Sequence, residues 1–512
     1  MNKNLRTVLL ASTALGLLFS GSAQAADSTA DTLAALQAQI TTLQKQIADM
    51  QTKDAARAEA EAKAKAEAAA NPAPAAQTAS SEPGKKEILP GVSVKVGGFI
   101  AMEGAYRTKN ETADVGTVYR SIPLKNSYND KTDEFRAGAR ATRLSLLAEG
   151  KPDADTTLNA FVETDFNSSG TTSNSGQTNG YTPRLRHGYA TVDRRDLGFY
   201  FLGGQAYSLA TMNKTGLTAR QEMGVQTVDA SGPPGYIYTR APQIRFVKDF
   251  DKKKWGVGLS FEAPEVNFGG VTPPSSVVAS NKGTSSLNSS ADYATTLAPD
   301  IIAKVAYDPS FGHYEVFSMT RFFRDVVKVD GDNQYAVGMG IGAGALLPVL
   351  PKKMEIVANG MVGKGIGRYS SAQFADIAFD STGKIKPLTQ MTALVGVLGH
   401  PTSTLDLYMY ASAEKILRKD YGDAALGYGS SARDTSGCYT AGSAAATCSD
   451  QAKLIWQLSP GFWQQVYKGD YGNMKVGGQY SLTRKDVFSG STGAAPHAFE
   501  NTFMMSFRYA PF

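Results

Sequence analysis

The chain has 512 residues, a formal net charge of +5, 19% charged residues and two cysteines. So mild a basic balance argues against a nucleic-acid partner, and two cysteines are too few for a disulfide scaffold. Gly (51), Tyr (23) and Phe (23) are abundant, which suits many β-strands punctuated by glycine and aromatic residues.

Residues 1–25 place Lys3 and Arg6 ahead of an apolar run from Val8 to Phe19, followed by Ala23-Gln24-Ala25. That is the design of a secretory signal peptide cleaved after Ala25. An uncleaved anchor is the competing reading, but the run is short for a span of about 20 residues. Without Lys3 and Arg6 the net charge is +3. No later stretch offers 18 uninterrupted apolar residues, so no transmembrane helix is predicted.

Leu33, Leu36, Ile40, Leu43, Ile47 and Met50 follow at spacings of 3 and 4 in turn. This narrow a/d seam predicts an α-helical coiled coil over 26–70 that oligomerises the chain. A helix lying on its own domain is the alternative. Asn71-Pro72 ends the helix, and the Pro/Ala/Ser-rich residues 71–91 are expected to be a linker.

From Val92 the dominant period is two. In "WGVGLSFE", Trp255, Val257, Leu259 and Phe261 share one face, and Gly256, Gly258, Ser260 and Glu262 share the other. "VSVKVGGFIAMEG", "TLDLYMYASAE" and "NMKVGGQYSLT" alternate in the same way. Short turns such as "DFDKKK", "PVLPKK" and "HPTS" take turns with long stretches rich in Ser, Gly, Asn and Thr. Seven turns and eight loops give sixteen strands, beginning near 93, 134, 156, 182, 197, 237, 254, 298, 312, 334, 353, 386, 403, 451, 472 and 499. The predicted fold over 92–512 is all-β: a 16-stranded antiparallel transmembrane β-barrel of the outer membrane, with the coil in the periplasm. A secreted β-sandwich would alternate too, but without the short/long rhythm.

With apolar side chains facing lipid, the other phase faces a lumen wide enough for water. Lys95, Arg143, Arg245, Lys304, Lys475 and Arg508 fall there, with Glu103, Glu163, Asp165, Glu262 and Asp406, and "PRLRHGYATVD" adds Arg184 and Arg186. A charge facing lipid at mid-depth costs about 2–4 kcal/mol, which puts these groups inside. Rings of basic residues favour anions; wall charges that merely pair and keep the lumen wet are the alternative. Arg140 conflicts, since it falls in the lipid phase. By analogy with other wide barrels, the third long loop is expected to fold inward, which makes Lys214, Arg220 and Glu222 candidates for a constriction.

No catalytic motif, phosphate loop or cofactor site emerges, and His187, His313, His400 and His497 are scattered. Cys438 and Cys448 are expected to form a local disulfide in an oxidising compartment, with two free thiols as the alternative. The competing function classes are an outer-membrane enzyme and a structural outer-membrane protein.

The stretches "ATRLSLLAEG", "LNAFVETDF", "PRLRHGYATVD", "FLGGQAYSL", "YTRAPQIRFV", "APDIIAKVAYD" and "GKGIGRY" resemble the DcaP-like porins of Gram-negative outer membranes. They spread over most of 92–370. The resemblance implies a homotrimer of sixteen-stranded barrels with N-terminal coils, among outer-membrane lipids and lipopolysaccharide. It also implies passive uptake of small, mostly anionic solutes such as dicarboxylates. Matching positions make Arg143, Arg184, Arg186, Arg245 and Arg368 candidates for a basic pore wall. The linker and the disulfide loop do not match the family. A phosphate-selective porin, the nearest rival alongside a general diffusion porin, would need a denser Arg ladder with a Lys cluster.

The last strand, "FENTFMMSFRYAPF", puts Phe503, Met505, Phe507 and Tyr509 toward lipid and Arg508 toward the lumen. Its edge is expected to pair with the first strand and close the sheet. Phe512 falls out of phase and is expected at the periplasmic rim.

Overall fold

The computed structural model describes residues 85–167, 181–278, 295–329 and 331–511, with Thr41, Lys45, Ala48 and Thr52. Those last four are helical and exposed. The signal peptide, the six seam positions, residues 71–84 and Phe512 lie outside the described residues.

The period-two pattern becomes sixteen antiparallel strands. β1 is Val92–Arg107, and β2 comes in two pieces, Glu134–Gly138 and Arg143–Gly150. β3 (Thr156–Asp165), β4 (Arg184–Arg194), β5 (Phe199–Tyr207), β6 (Arg240–Phe250) and β7 (Trp255–Glu262) follow. Then come β8 (Asp300–Tyr307), β9 (His313–Val326), β10 (Asn333–Leu350), β11 (Met354–Lys364) and β12 (Thr389–Gly399). β13 (Leu405–Ile416), β14 (Ala452–Gly469), β15 (Gly472–Val487) and β16 (His497–Ala510) complete the set. Each pairs with its neighbour, and β16 pairs with β1 from Ile100↔Tyr509 to Arg107↔Thr502, so the sheet is closed. Closure leaves the sheet without an open edge. The connection after β9 is only 327–332, shorter than the long loop expected there.

Two expectations need correction. Residues Lys85–Leu89 were assigned to the linker, yet they form a strand folded back on β1, with Glu87 opposite Ser93 and Leu89 opposite Val92. Pro90-Gly91 makes the turn, Gly91 having φ +78°, and Glu87 Oε1 accepts the Gly91 amide at 2.7 Å. Arg140 is not on the lipid face. β2 breaks at 139–142, and the break resets the pleat: Phe135 faces out before it and Leu144 after it. Arg140 pairs with Asp114 and lies over the Tyr181 ring.

The faces are inverted relative to a soluble protein. Outward residues are apolar and exposed, Met505 at 75% and Phe503 at 51%. Inward residues include buried Gln479, Ser481, Thr483 and Ser506. These polar groups hydrogen-bond to one another, as in Gln457 Nε2 to Thr483 Oγ1 at 2.9 Å and Gln479 Nε2 to Ser481 Oγ at 2.8 Å.

Two long loops occupy the lumen. The third, 208–239, crosses it. The sixth, 365–388, enters with a small hairpin, Ile377–Phe379 against Ile385–Pro387. Its Phe374, Ile377 and Phe379 bury themselves against Phe323, Ile416 and Ile455 of the wall. Arg321 pins it, donating to Asp300 Oδ2 at 3.1 Å and pairing with Asp376 at 2.8 Å. In the seventh loop Cys438 and Cys448 are bonded, and they pack on Ile122, Leu124, Val487 and Ala498.

Candidate functional site

The third loop leaves β5, reaches the opposite wall and returns to β6. Its amides are held by side chains half a barrel away. Val228 N donates to Tyr408 Oη at 3.1 Å and Gln479 Oε1 at 2.7 Å, and Gln226 N to Tyr410 Oη at 3.1 Å. Trp463 Nε1 donates to Gln226 O at 2.7 Å, and Glu414 Oε1 accepts Gly235 N at 2.7 Å. A loop that carries its backbone through the interior must satisfy each amide, and the inward polar phase of β13–β15 supplies the acceptors.

This arrangement confines a cavity of about 420 Å³ between the loop segment Gly224–Gly232, residues 114–118 of the first loop and the wall. Six guanidinium groups line it: Arg140, Arg143, Arg184, Arg186, Arg240 and Arg508. Three carboxylates do, Glu103, Asp114 and Asp229. Asp165 holds Arg184 by two bonds of 2.9 Å and Arg186 by one of 2.7 Å, and Glu163 holds Arg186 at 2.7 Å. Arg508 donates to Glu103 at 2.6 Å and stacks on Phe99 and Trp463. Arg143 lies 3.7 Å from Glu163 and over the Phe99 ring. Arg240 donates to Tyr207 Oη at 3.4 Å and pairs with no carboxylate among the described residues. Positive charge is therefore least compensated at Arg143 and Arg240.

The candidates divide on placement. Arg143, Arg184, Arg186 and Arg508 come together on this cavity. Arg245 has the inward phase but is only 1% exposed; the third loop covers it, and it donates to the carbonyls of Leu217 and Tyr207. Arg368 lies at the start of the sixth loop, donating to Ala263 O at 2.9 Å and 3.6 Å from Asp300. It fastens loops rather than lining the cavity. Lys475 is opposite Arg508 in register but away from the cavity. Lys214, Arg220 and Glu222 belong to a hairpin within the loop, where Asn213 bridges to Glu222 and Lys214 N donates to Gln221 O at 2.7 Å. None of the three lines the cavity. Burial raises the Glu222 pKa, opposed by the charge of Arg245.

Arg240, Tyr207 and Asp229 were not singled out from the sequence. Arg240 heads β6 five residues before Arg245, so strict alternation puts it in the outward phase, and nothing in "YTRAPQIRFV" brings it to the cavity. Asp229 turns on its loop, accepting Ser231 N at 2.9 Å, which no periodicity announces. Of the histidines, His313 bridges Asp308 at 2.8 Å and Glu315 at 3.1 Å, and His187 packs among Phe161, Tyr189 and Tyr207.

No protein-family model and no curated protein sequence matches the chain. Among solved structures, the outer membrane channel DcaP of Acinetobacter baumannii superposes with a TM-score of 0.57 at 18% identity, covering 82% of this chain and 98% of that one. Salmonella typhi OmpF aligns at a TM-score of 0.46 and 10% identity over 83% and 99% of the two chains. An anion-selective porin from Comamonas acidovorans aligns at 0.43 and 10% over 82% and 99%. The chain thus shares its fold with the DcaP structure.

Proposed function

We propose that the chain is a DcaP-like porin of the bacterial outer membrane, through which small hydrophilic, preferentially anionic solutes diffuse passively. The observation that carries this is the cavity beneath the third loop, which six guanidinium groups and three carboxylates line. A dicarboxylate-like solute suits the pair left least compensated, Arg143 and Arg240, which could each take one carboxylate without breaking an existing close ion pair. The wall ion pairs behind them keep the other arginines extended. The chemistry required is attraction and release, which needs no catalytic group and no energy source.

The reading includes a signal peptide over 1–25, a coil over 26–70 that joins three barrels, and the turn end of the barrel in the periplasm. Planar-bilayer recording of the purified full chain tests it. Open-channel current with a reversal potential favouring chloride over potassium is expected. No current rejects the porin, and a cation-favouring potential rejects the anion preference.

A further inference from the structure

On the outer wall, the side chains step from large to small between β9 and β12. Outward positions on β10, β11 and β12 are small: Ala343, Ala345, Ala358, Gly360 and Ala393. Register sets them side by side, Ala345 opposite Ala358, Ala343 opposite Gly360, and Gly360 opposite Ala393. In the same rows β7, β8 and β9 carry Trp255, Tyr307 and Tyr314. Trp255 and Tyr307 stack with ring centroids 4.2 Å apart. The step from large to small side chains leaves an apolar recess of about 520 Å³, walled by Tyr314 and Val316 and lined by Ala343, Ala345, Ala358 and Val395.

The turn below this recess is cationic. Lys352 and Lys353 join β10 to β11, and Lys252, Lys253 and Lys254 lie on the β6–β7 turn. All five are exposed, and none forms an ion pair among the described residues. The neighbouring β12–β13 turn, 400–404, carries no lysine or arginine. Ala358 is five residues from Lys353, about 17 Å at roughly 3.4 Å per residue along a strand. That is close to one leaflet, half of a hydrocarbon core about 30 Å thick. An apolar slot one leaflet deep, an aromatic rim and unpaired ammonium groups at its base match one kind of molecule.

We propose that this recess binds an anionic glycerophospholipid of the turn-side leaflet, its acyl chain against Ala345 and Ala358 and its phosphate at Lys352 and Lys353. The chain would fill space that otherwise leaves the small side chains without packing partners. The lysines would select the headgroup by attraction to its phosphate. A second copy docked face to face about a two-fold axis would set lysines against lysines. The inference rests on the membrane reading above but not on the selectivity of the pore.

Native mass spectrometry of the delipidated full chain, titrated with phosphatidylglycerol or phosphatidylcholine of matched acyl chains, tests it. The wild type is expected to retain phosphatidylglycerol at least tenfold more tightly. Lys352→Glu with Lys353→Glu, both on an exposed turn, should abolish that preference, and Ala358→Phe should weaken retention of both lipids. Equal retention of the two lipids by the wild type overturns the proposal. So does unchanged phosphatidylglycerol binding in the lysine variant. Ala358→Phe that dissociates an oligomer without changing lipid retention also overturns it, and gives the face to a second copy. Channel current from the same wild-type preparation reports the porin reading separately.

Discussion

Glu414 Oε1 accepts the amides of both Gly235 and Ala372 at 2.7 Å, while its Oε2 accepts Ser370 Oγ at 2.6 Å. One carboxylate on β13 thus ties the third loop to the sixth against the inner wall. In Glu414→Ala each buried amide left without an acceptor costs about 1–3 kcal/mol. We expect both loops to loosen, with larger conductance and noisier open states in single-channel recording. Wild-type conductance and thermal stability in this variant would show that the tie is dispensable.

Anion preference should reside in Arg143 and Arg240. A unit charge about 6 Å from the path in water contributes about 0.7 kcal/mol, roughly threefold in local anion concentration. Arg143→Gln with Arg240→Gln should therefore lower local chloride about tenfold, and the chloride-to-potassium permeability ratio by more than that because potassium is no longer repelled, at low salt, and both much less at 1 M, where the Debye length is about 3 Å. The measurement is reversal potential across a salt gradient. Arg245→Gln, whose side chain is sealed under the third loop, should lower stability and leave the ratio nearly unchanged. An equal drop in the ratio would contradict the placement of that side chain.

The bond between Cys438 and Cys448 closes a short segment of the seventh loop. Cross-links of this size contribute about 2–3 kcal/mol in the chain-entropy account. Cys438→Ser with Cys448→Ser should speed proteolysis within 438–448 while leaving the barrel's melting temperature within a few degrees. Cleavage at the wild-type rate would show that packing on Ile122 and Val487 suffices.

Met505 projects outward from β16, and its neighbour Ser506 projects inward. Met505→Lys should destabilise folding into lipid vesicles by about 2–4 kcal/mol if the residue sits at mid-depth. Ser506→Ala should cost less than about 1.5 kcal/mol, the scale of its single hydrogen bond to Glu103. Denaturant titration in vesicles reads both. Reversed costs would mean that the faces are misassigned.

The strands were legible because each face meets one solvent, so period two persists from β1 to β16. All sixteen expected starts fall within three residues of those observed. What periodicity reports is the side a residue faces, not what covers it. Arg143 and Arg245 share the inward phase, and only a loop lying over Arg245 separates their roles. The break at 139–142 was illegible for a related reason: the single Gly138 before it does not by itself signal a reset of phase. In the third loop, charge drew the eye to Lys214, Arg220 and Glu222. The segment against the cavity, Gly224–Gly232, uses mostly small residues and backbone amides. The sixth loop looked polar overall, while its apolar residues, Phe374, Ile377 and Phe379, alternate just enough to fill the lumen.

Ile100 and Tyr509 are register partners roughly 400 residues apart, and long-range pairings of this kind slow folding. Every other strand pair joins neighbours in sequence and can form as a hairpin. The seam between β1 and β16 cannot, because it has no meaning until the fifteen hairpin steps have brought both edges round. Until then each edge offers unpaired amides to any strand nearby, including one from another molecule. Assembly is thus most exposed to error at its last step, and a change at this seam should be felt first as poor yield of closed barrels, before any loss of conduction in those that close.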